Sequence, residues 1–132
     1  MVVRRALLGL LLAAASRADQ RTEVLEIIEP LAAALSESTS DNFMRIFAAD
    51  MPDRRRLHDH VAALIAFAEV TSSIELIRLK DERAELDWYM QIRARATNSV
   101  VERRRGTVKI LVRNKKIEEI EPVDFFRVPS LR

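Results

Sequence analysis

Cysteine is absent from the 132-residue chain. An oxidising compartment would therefore give it no disulfide, its stability must come from packing, and a lipobox-type lipid anchor is excluded. Without cysteine, and with His58 and His60 as its two imidazoles, the chain has too few ligands for a zinc site. Aromatic residues number seven, which leaves little for a surface that stacks nucleic-acid bases. No apolar run is long enough for a multi-span membrane protein, yet at 48% hydrophobic the chain is too apolar to be disordered. Internal repeats and low-complexity linkers are also missing. What is left is one domain, with enough residues to build a core.

The first eighteen residues stand apart from the rest. Met1 to Arg5 form a short positive stretch, followed by the apolar run Ala6–Ala15 and the small-residue pattern Ser16-Arg17-Ala18. A run of about ten apolar residues suits a secretory signal peptide and is too short to span a bilayer. A first helix of the domain would be the other reading, but the run is apolar on every face, which a surface helix cannot be. Residues 1–18 are therefore expected to be a signal peptide cleaved after Ala18, with a second-choice site after Ala15, and residues 19–132 a single domain. The expected location is periplasmic or secreted, with no stable membrane anchor. Removing residues 1–18 takes away Arg4, Arg5 and Arg17 and no acid, so the remaining 114 residues carry 19 bases and 20 acids. The apparent basic character belongs to the leader, and a nucleic-acid partner, which needs a sustained positive field, is not expected.

The rest divides into a helical half and a strand half. Val24, Ile27, Ile28, Leu31 and Leu35 recur at helical spacing, and Pro30 predicts a kink or break near Glu29. Ser38 and Asp41 resemble a capping pair opening a short helix that buries Phe43, Ile46 and Phe47. Asp53 is the expected N-cap of a third helix, with Leu57, Val61, Leu64, Ile65 and Ala68 as its apolar stripe. Arg54-Arg55-Arg56 then lies at the helix end where cations are unfavourable, which points to a partner, to nearby acids or to plain solvation. After Glu69 the period becomes two. From Ala84 to Ala96 apolar and polar residues alternate seven times, the clearest strand in the chain. Weaker strands are expected at about 70–79, 101–113 and 117–126. The fold class is α+β, with three N-terminal helices packed on a curved four-stranded antiparallel sheet.

This order resembles the nuclear transport factor 2-like superfamily, whose cystatin-like cone roll also houses SnoaL-like polyketide cyclases and ketosteroid isomerases. The segment Leu31–Phe47 is similar to the family's two opening helices, while the strand at 84–96 and the ending Ile117–Phe126 are similar to its later strands. One departure is the stretch Asp50-Met51-Pro52-Asp53, which compresses the region where family members often place a hairpin and a glycine turn. The resemblance implies a cone around an apolar cavity with a few polar groups at its base, and an outer sheet face that forms a dimer interface. In the isomerase branch an aspartate abstracts a proton while a tyrosine and a protonated acid hold the oxyanion. That tyrosine lies on the first helix, where residues 21–35 have none, and no catalytic residue is carried over.

Candidate site residues follow. His58 and His60, two apart on a helix, point about 200° apart and do not share one ion, so neither a metal nor another cofactor is expected. His60 is a weak candidate for a pocket base, against ordinary packing. Asp124 is the other, because an acid beside Phe125 and Phe126 can have a raised pKa, against a strand-end aspartate facing water. Phe43, Phe47, Phe67, Trp88 and Met90 are candidate pocket walls, but aromatics and Met at these spacings are core residues first. Tyr89 adjoins Trp88 and must face the other way. If Thr97 pairs with Val101, Arg95 meets Arg103 and Arg93 meets Arg105 on the outer face, while Met90 meets Val108 and Trp88 meets Ile110 inside. Such opposed arginines need acids, an anion or a second subunit, with Glu85, Asp87 and Glu102 as candidates.

Two function classes survive. One is an exported, non-catalytic domain binding a small apolar ligand or a protein partner as a homodimer. The other is a SnoaL-like isomerase, cyclase or dehydratase acting on a small hydrophobic carbonyl compound. The lack of a convergent acid–base pair favours the first.

Overall fold

A computed structural model describes the backbone of residues 2–130 and the side chains of residues 18–130. The leader expected over residues 1–18 lies, apart from Ala18, outside the described side chains. Helix α1 (Val2–Ser36) is followed by α2 (Ser40–Met44) and α3 (Arg54–Phe67). Strands β1 (Ala68–Lys80), β2 (Arg83–Ala94), β3 (Ser99–Arg113) and β4 (Lys116–Glu121) then form one antiparallel sheet in sequence order.

Helix α1 presents Val24, Ile27, Ile28, Leu31, Ala34 and Leu35 to the core, as its periodicity requires. It does not end at Glu29: the helix continues through Pro30. Proline removes the hydrogen bond to the carbonyl of Glu26, but both residues are exposed, so water can take the vacant acceptor. The short second helix opens at Thr39 rather than Ser38, which sits in the left-handed region at φ 60° and cannot cap it. Phe47 and Ile46 lie beyond its end, where Ile46 O accepts from Ile117 N and Ala48 N donates to Ile117 O, which adds this stretch to the free edge of β4. Asp53 does precede α3, but its side chain makes no capping bond; Leu57, Val61, Leu64, Ile65 and Ala68 are buried as expected.

In β2, Ala84, Leu86, Trp88, Met90, Ile92 and Ala94 are all buried while the residues between them are not. They meet Val108, Ile110 and Val112 of β3, Ile117 and Ile120 of β4 and the apolar stripes of the helices in one core. The expected β2–β3 register is corrected by four residues. The turn occupies residues 95–98, Ala94 pairs with Ser99, and a bulge after Arg93–Val100 brings Ile92 opposite Glu102. Leu86 thus faces Val108, Met90 faces Arg104, and Trp88 faces Gly106. An even shift keeps every side chain on its expected face, so alternation alone could not distinguish the two registers. The last strand ends at Glu121 instead of reaching 126: Pro122 has no N–H for the ladder, and Val123–Phe126 turn into one 3-10 turn packed on α3.

Pro30→Ala restores the missing bond at an exposed position. It is expected to raise the stability by about 1–3 kcal/mol, seen as a higher urea midpoint with an unchanged slope.

Candidate functional site

The interior of the cone is occupied by aromatic rings. Phe43 from α2 stacks near Phe47 at 5.3 Å, Phe126 at 5.7 Å and Trp88 at 6.4 Å between ring centres. Trp88 meets Phe126 edge-on at 5.0 Å and Phe125 at 6.2 Å. Phe43, Trp88, Met90 and Phe126 are fully buried. The indole N–H of Trp88, which would otherwise be an orphaned donor, donates to Ser72 Oγ at 2.6 Å. Of the expected pocket walls, Phe43, Phe47, Trp88 and Met90 belong to the packed core, and Phe67 borders it half-buried. None of these five residues lines the surface clefts beside Asp124, Pro30, Leu79 or Arg55.

The mouth of the cone is closed by the chain's own C-terminal segment. Arg104, opposite Met90 on the inner face, has a side chain only 15% exposed. Its Nε and Nη2 donate to Glu102 Oε2 and Oε1 at 2.5 and 3.1 Å. Its Nη1 donates to the carbonyl oxygens of Phe125 and Arg127 at 2.6 and 2.7 Å. A guanidinium inside an apolar face is tolerable because every donor group is met and one carboxylate balances the charge. The hydrogen bonds from Arg104 hold the Glu102 carboxyl below the usual glutamate range, against the opposing effect of burial. Above this clamp the Phe125 ring lies over Gly106, where a β-carbon would come within 3.2 Å of Phe125 Cε2. The single glycine of β3 is therefore the seat of that ring.

Sequence reasoning missed Arg104, Glu102 and Gly106 as a unit. The signals were present: alternation sends Arg104 inward between Arg103 and Arg105, and an isolated strand glycine marks a close approach.

The two weak catalytic candidates are brought together, but outside the cone. His60 Nε2 lies 3.4 Å from Asp124 Oδ1 and is shielded from water without a well-directed hydrogen bond. Arg56 Nη2 lies 3.8 Å from the same oxygen and 4.0 Å from Asp53. The Asp124 side chain is 59% exposed and faces these bases, not the apolar side of Phe125 and Phe126. Next to it opens a cleft of about 540 Å³ lined by Asp53, Arg56, Arg83, Lys109, Glu119 and Asp124 among others. Its charges are mixed in sign and partly paired, as in Arg83–Glu119 at 3.2 Å. Among the described residues no three His, Asp or Glu side chains converge as a metal site would need.

The expected line of opposed arginines is replaced by separate pairings. Arg105 clasps Asp87 with two bonds of 3.0 and 2.6 Å, which lowers the Asp87 carboxyl and raises the guanidinium. Arg93 donates to Asn98 O and pins the hairpin turn. Arg95 donates to Ile65 O in the last turn of α3 and to Ser38 Oγ in the α1–α2 connector, and it lies 3.7 Å from Glu69. Arg103 stands opposite Gln91, exposed and with no acid within 4.0 Å among the described residues. Tyr89 faces out beside Ser73 and Arg105, on the side away from buried Trp88.

The depressed Glu102 carboxyl gives stability that is complete above its ordinary pKa of 4.5 and lost as the pH falls through the lower folded value. Glu102→Gln is expected to flatten part of the fall in melting temperature below about pH 4.5, followed by circular dichroism, with Asp87 supplying the slope that remains.

No family model matches the sequence, and no curated protein is similar to it. Solved structures are. An uncharacterised cystatin-fold protein from Novosphingobium aromaticivorans superposes with a TM-score of 0.59 at 13% identity, covering 73% of this chain and 93% of that one. A hypothetical protein from Catenulispora acidiphila with a ketosteroid isomerase-like fold, in complex with trimethylamine, gives 0.56 at 16% identity over 72% and 82%. An LEH-like epoxide hydrolase from M. tuberculosis gives 0.56 at 14% identity over 75% and 80%. Helices that pack on a four-stranded antiparallel sheet, and neighbours of this kind, give the chain a cystatin-like, ketosteroid isomerase-like fold.

Proposed function

We propose that this chain is an exported, non-catalytic domain that works by binding a protein partner, and that the first partner is a second copy of itself. The observation that carries the reading is the packed cone: Phe43, Trp88 and Phe126 take up the space in which a cone of this fold would hold a small apolar substrate. Surfaces are then left to act. The outer sheet face has a strip of uncharged polar residues, Thr71, Ser73, Tyr89 and Gln91, along the paired β1 and β2, with Arg105 beside Tyr89 clasped to Asp87. Glu75 and Asp87 lie at one end of this strip, and exposed Arg103 lies toward the other. A two-fold axis through the strip sets the acidic end of one copy against Arg103 of the next, as a self-complementary interface requires. Export rests on the leader pattern at residues 1–18.

A second reading, a SnoaL-like isomerase, cyclase or dehydratase for a small hydrophobic carbonyl compound, has one observation in its favour, the approach of His60 to Asp124. That pair adjoins a charged cleft and not an apolar chamber, so the hydrophobic part of such a substrate finds no wall there.

Light scattering on the purified protein is expected to give twice the monomer mass. Tyr89→Arg, which adds a like charge beside Arg105 at the strip's centre, is expected to shift the mass to that of one chain with the far-ultraviolet spectrum unchanged. A wild-type monomer at high micromolar concentration would remove the proposal. Sequencing the protein recovered outside the cytoplasm is expected to begin at Asp19.

A further inference from the structure

The C-terminal segment makes unusually few polar contacts with the body it closes. Its backbone bonds, Phe125 N to Pro122 O and Arg127 N to Asp124 O, are internal turns. Among the described residues the hydrogen bonds that join residues 123–130 to the sheet are the two from Arg104 Nη1. Asp124 adds looser ion pairs to α3. Val123 and Phe126 anchor the segment in the core by apolar contact, so an opening that leaves them seated is local to Phe125. Phe126 is fully buried and belongs to the core, whereas Phe125 is half-buried, on top of Gly106 and edge-on to Trp88.

We propose that the seat of Phe125, formed by Trp88, Gly106 and Arg104, is a binding site for an uncharged aromatic amide, which the chain's own tail occupies and which a ligand or peptide of that chemistry can enter by displacing it. The tail states what the site recognises. One ring fills the room left by the missing β-carbon of Gly106. Carbonyl oxygens take the two Nη1 donors of Arg104. The Arg104 charge is already balanced by Glu102, so a second carboxylate would sit beside Glu102 without a free cation, while a neutral amide oxygen replaces the tail carbonyls like for like. The site therefore favours an amide over the corresponding acid, and a ring over an aliphatic side chain. This inference is independent of the dimer, which uses the opposite face of the sheet.

Trp88 is the one tryptophan in the chain and reports on the seat directly. The test is a titration of the full chain and of its Phe125→Ala variant with N-acetylphenylalaninamide, following Trp88 emission. The free acid N-acetylphenylalanine and the aliphatic N-acetylleucinamide serve as comparisons. Phe125→Ala is expected to bind the aromatic amide with a saturable change at least tenfold tighter than the wild type, because no ring has to leave. In that variant the amide is expected to bind at least tenfold tighter than either comparison compound, and adding Glu102→Gln, which frees the Arg104 charge, is expected to erase the preference over the acid. No saturable change in Phe125→Ala, or equal binding of the three compounds, would overturn the proposal. Should the Glu102→Gln variant fail to fold, the comparison of amide and acid in Phe125→Ala decides alone.

Discussion

An arginine on the inner face of an apolar sheet sets the terms for everything packed around it. Arg104 faces Met90 across the β2–β3 ladder, where its diagonal neighbours on the inner face are Trp88 and Ile92. An unpaired guanidinium there would cost several kcal/mol, so its donors dictate what must surround it. Glu102, two residues away on the same face, takes the Nε side and neutralises it. The Nη1 side reaches across the open end of the cone and takes the carbonyls of Phe125 and Arg127. Those bonds bring the chain end back over the mouth and set Phe126 among Phe43, Phe47 and Trp88. Gly106 completes the arrangement by leaving room for Phe125.

The functional reading follows from that closure. In this fold the volume between helices and sheet can serve as a chamber; here it is core. Phe43, Trp88 and Phe126 fill that interior, and His60 with Asp124 lies beside the charged cleft. What the molecule offers instead is surface. Its outer face is polar and partly internally paired, with Arg105 clasped to Asp87 beside Tyr89, and it is the face on which the proposed dimer rests. Individual exposed ion pairs on it contribute little to stability, so they are free to differ between a single copy and a pair.

Much of the architecture was legible in the sequence because burial leaves a period. The alternation expected from Ala84 to Ala96 led to a strand with the correct buried face as far as Ala94, with Ala96 falling in the exposed turn, and the stripe from Leu57 to Ala68 led to the buried face of α3 and its end. Register was not legible. Shifts of two or four residues leave all faces unchanged, and the choice was made by a four-residue turn and a bulge near Val101 that no pattern announces. The same error made Arg93, Arg95, Arg103 and Arg105 look like one cluster, when turn, helix end and Asp87 divide most of them. Asp124 was misplaced for a related reason: next to Phe125 and Phe126 in sequence, it is turned away from them by the 3-10 turn. The plug itself depends on contacts twenty or more residues apart, between Arg104 and the tail, which local spacing does not encode.

The account stands on Arg104 holding the tail in place over Trp88. Acrylamide quenching of Trp88 fluorescence in the full chain and in Arg104→Leu tests it directly, with circular dichroism as the check on folding. Trp88 is predicted to be shielded in the wild type and readily quenched in the folded variant, since the tail loses its hydrogen bonds to the sheet. Equal shielding in a folded Arg104→Leu protein would contradict the account, because ring packing alone would then be closing the cone.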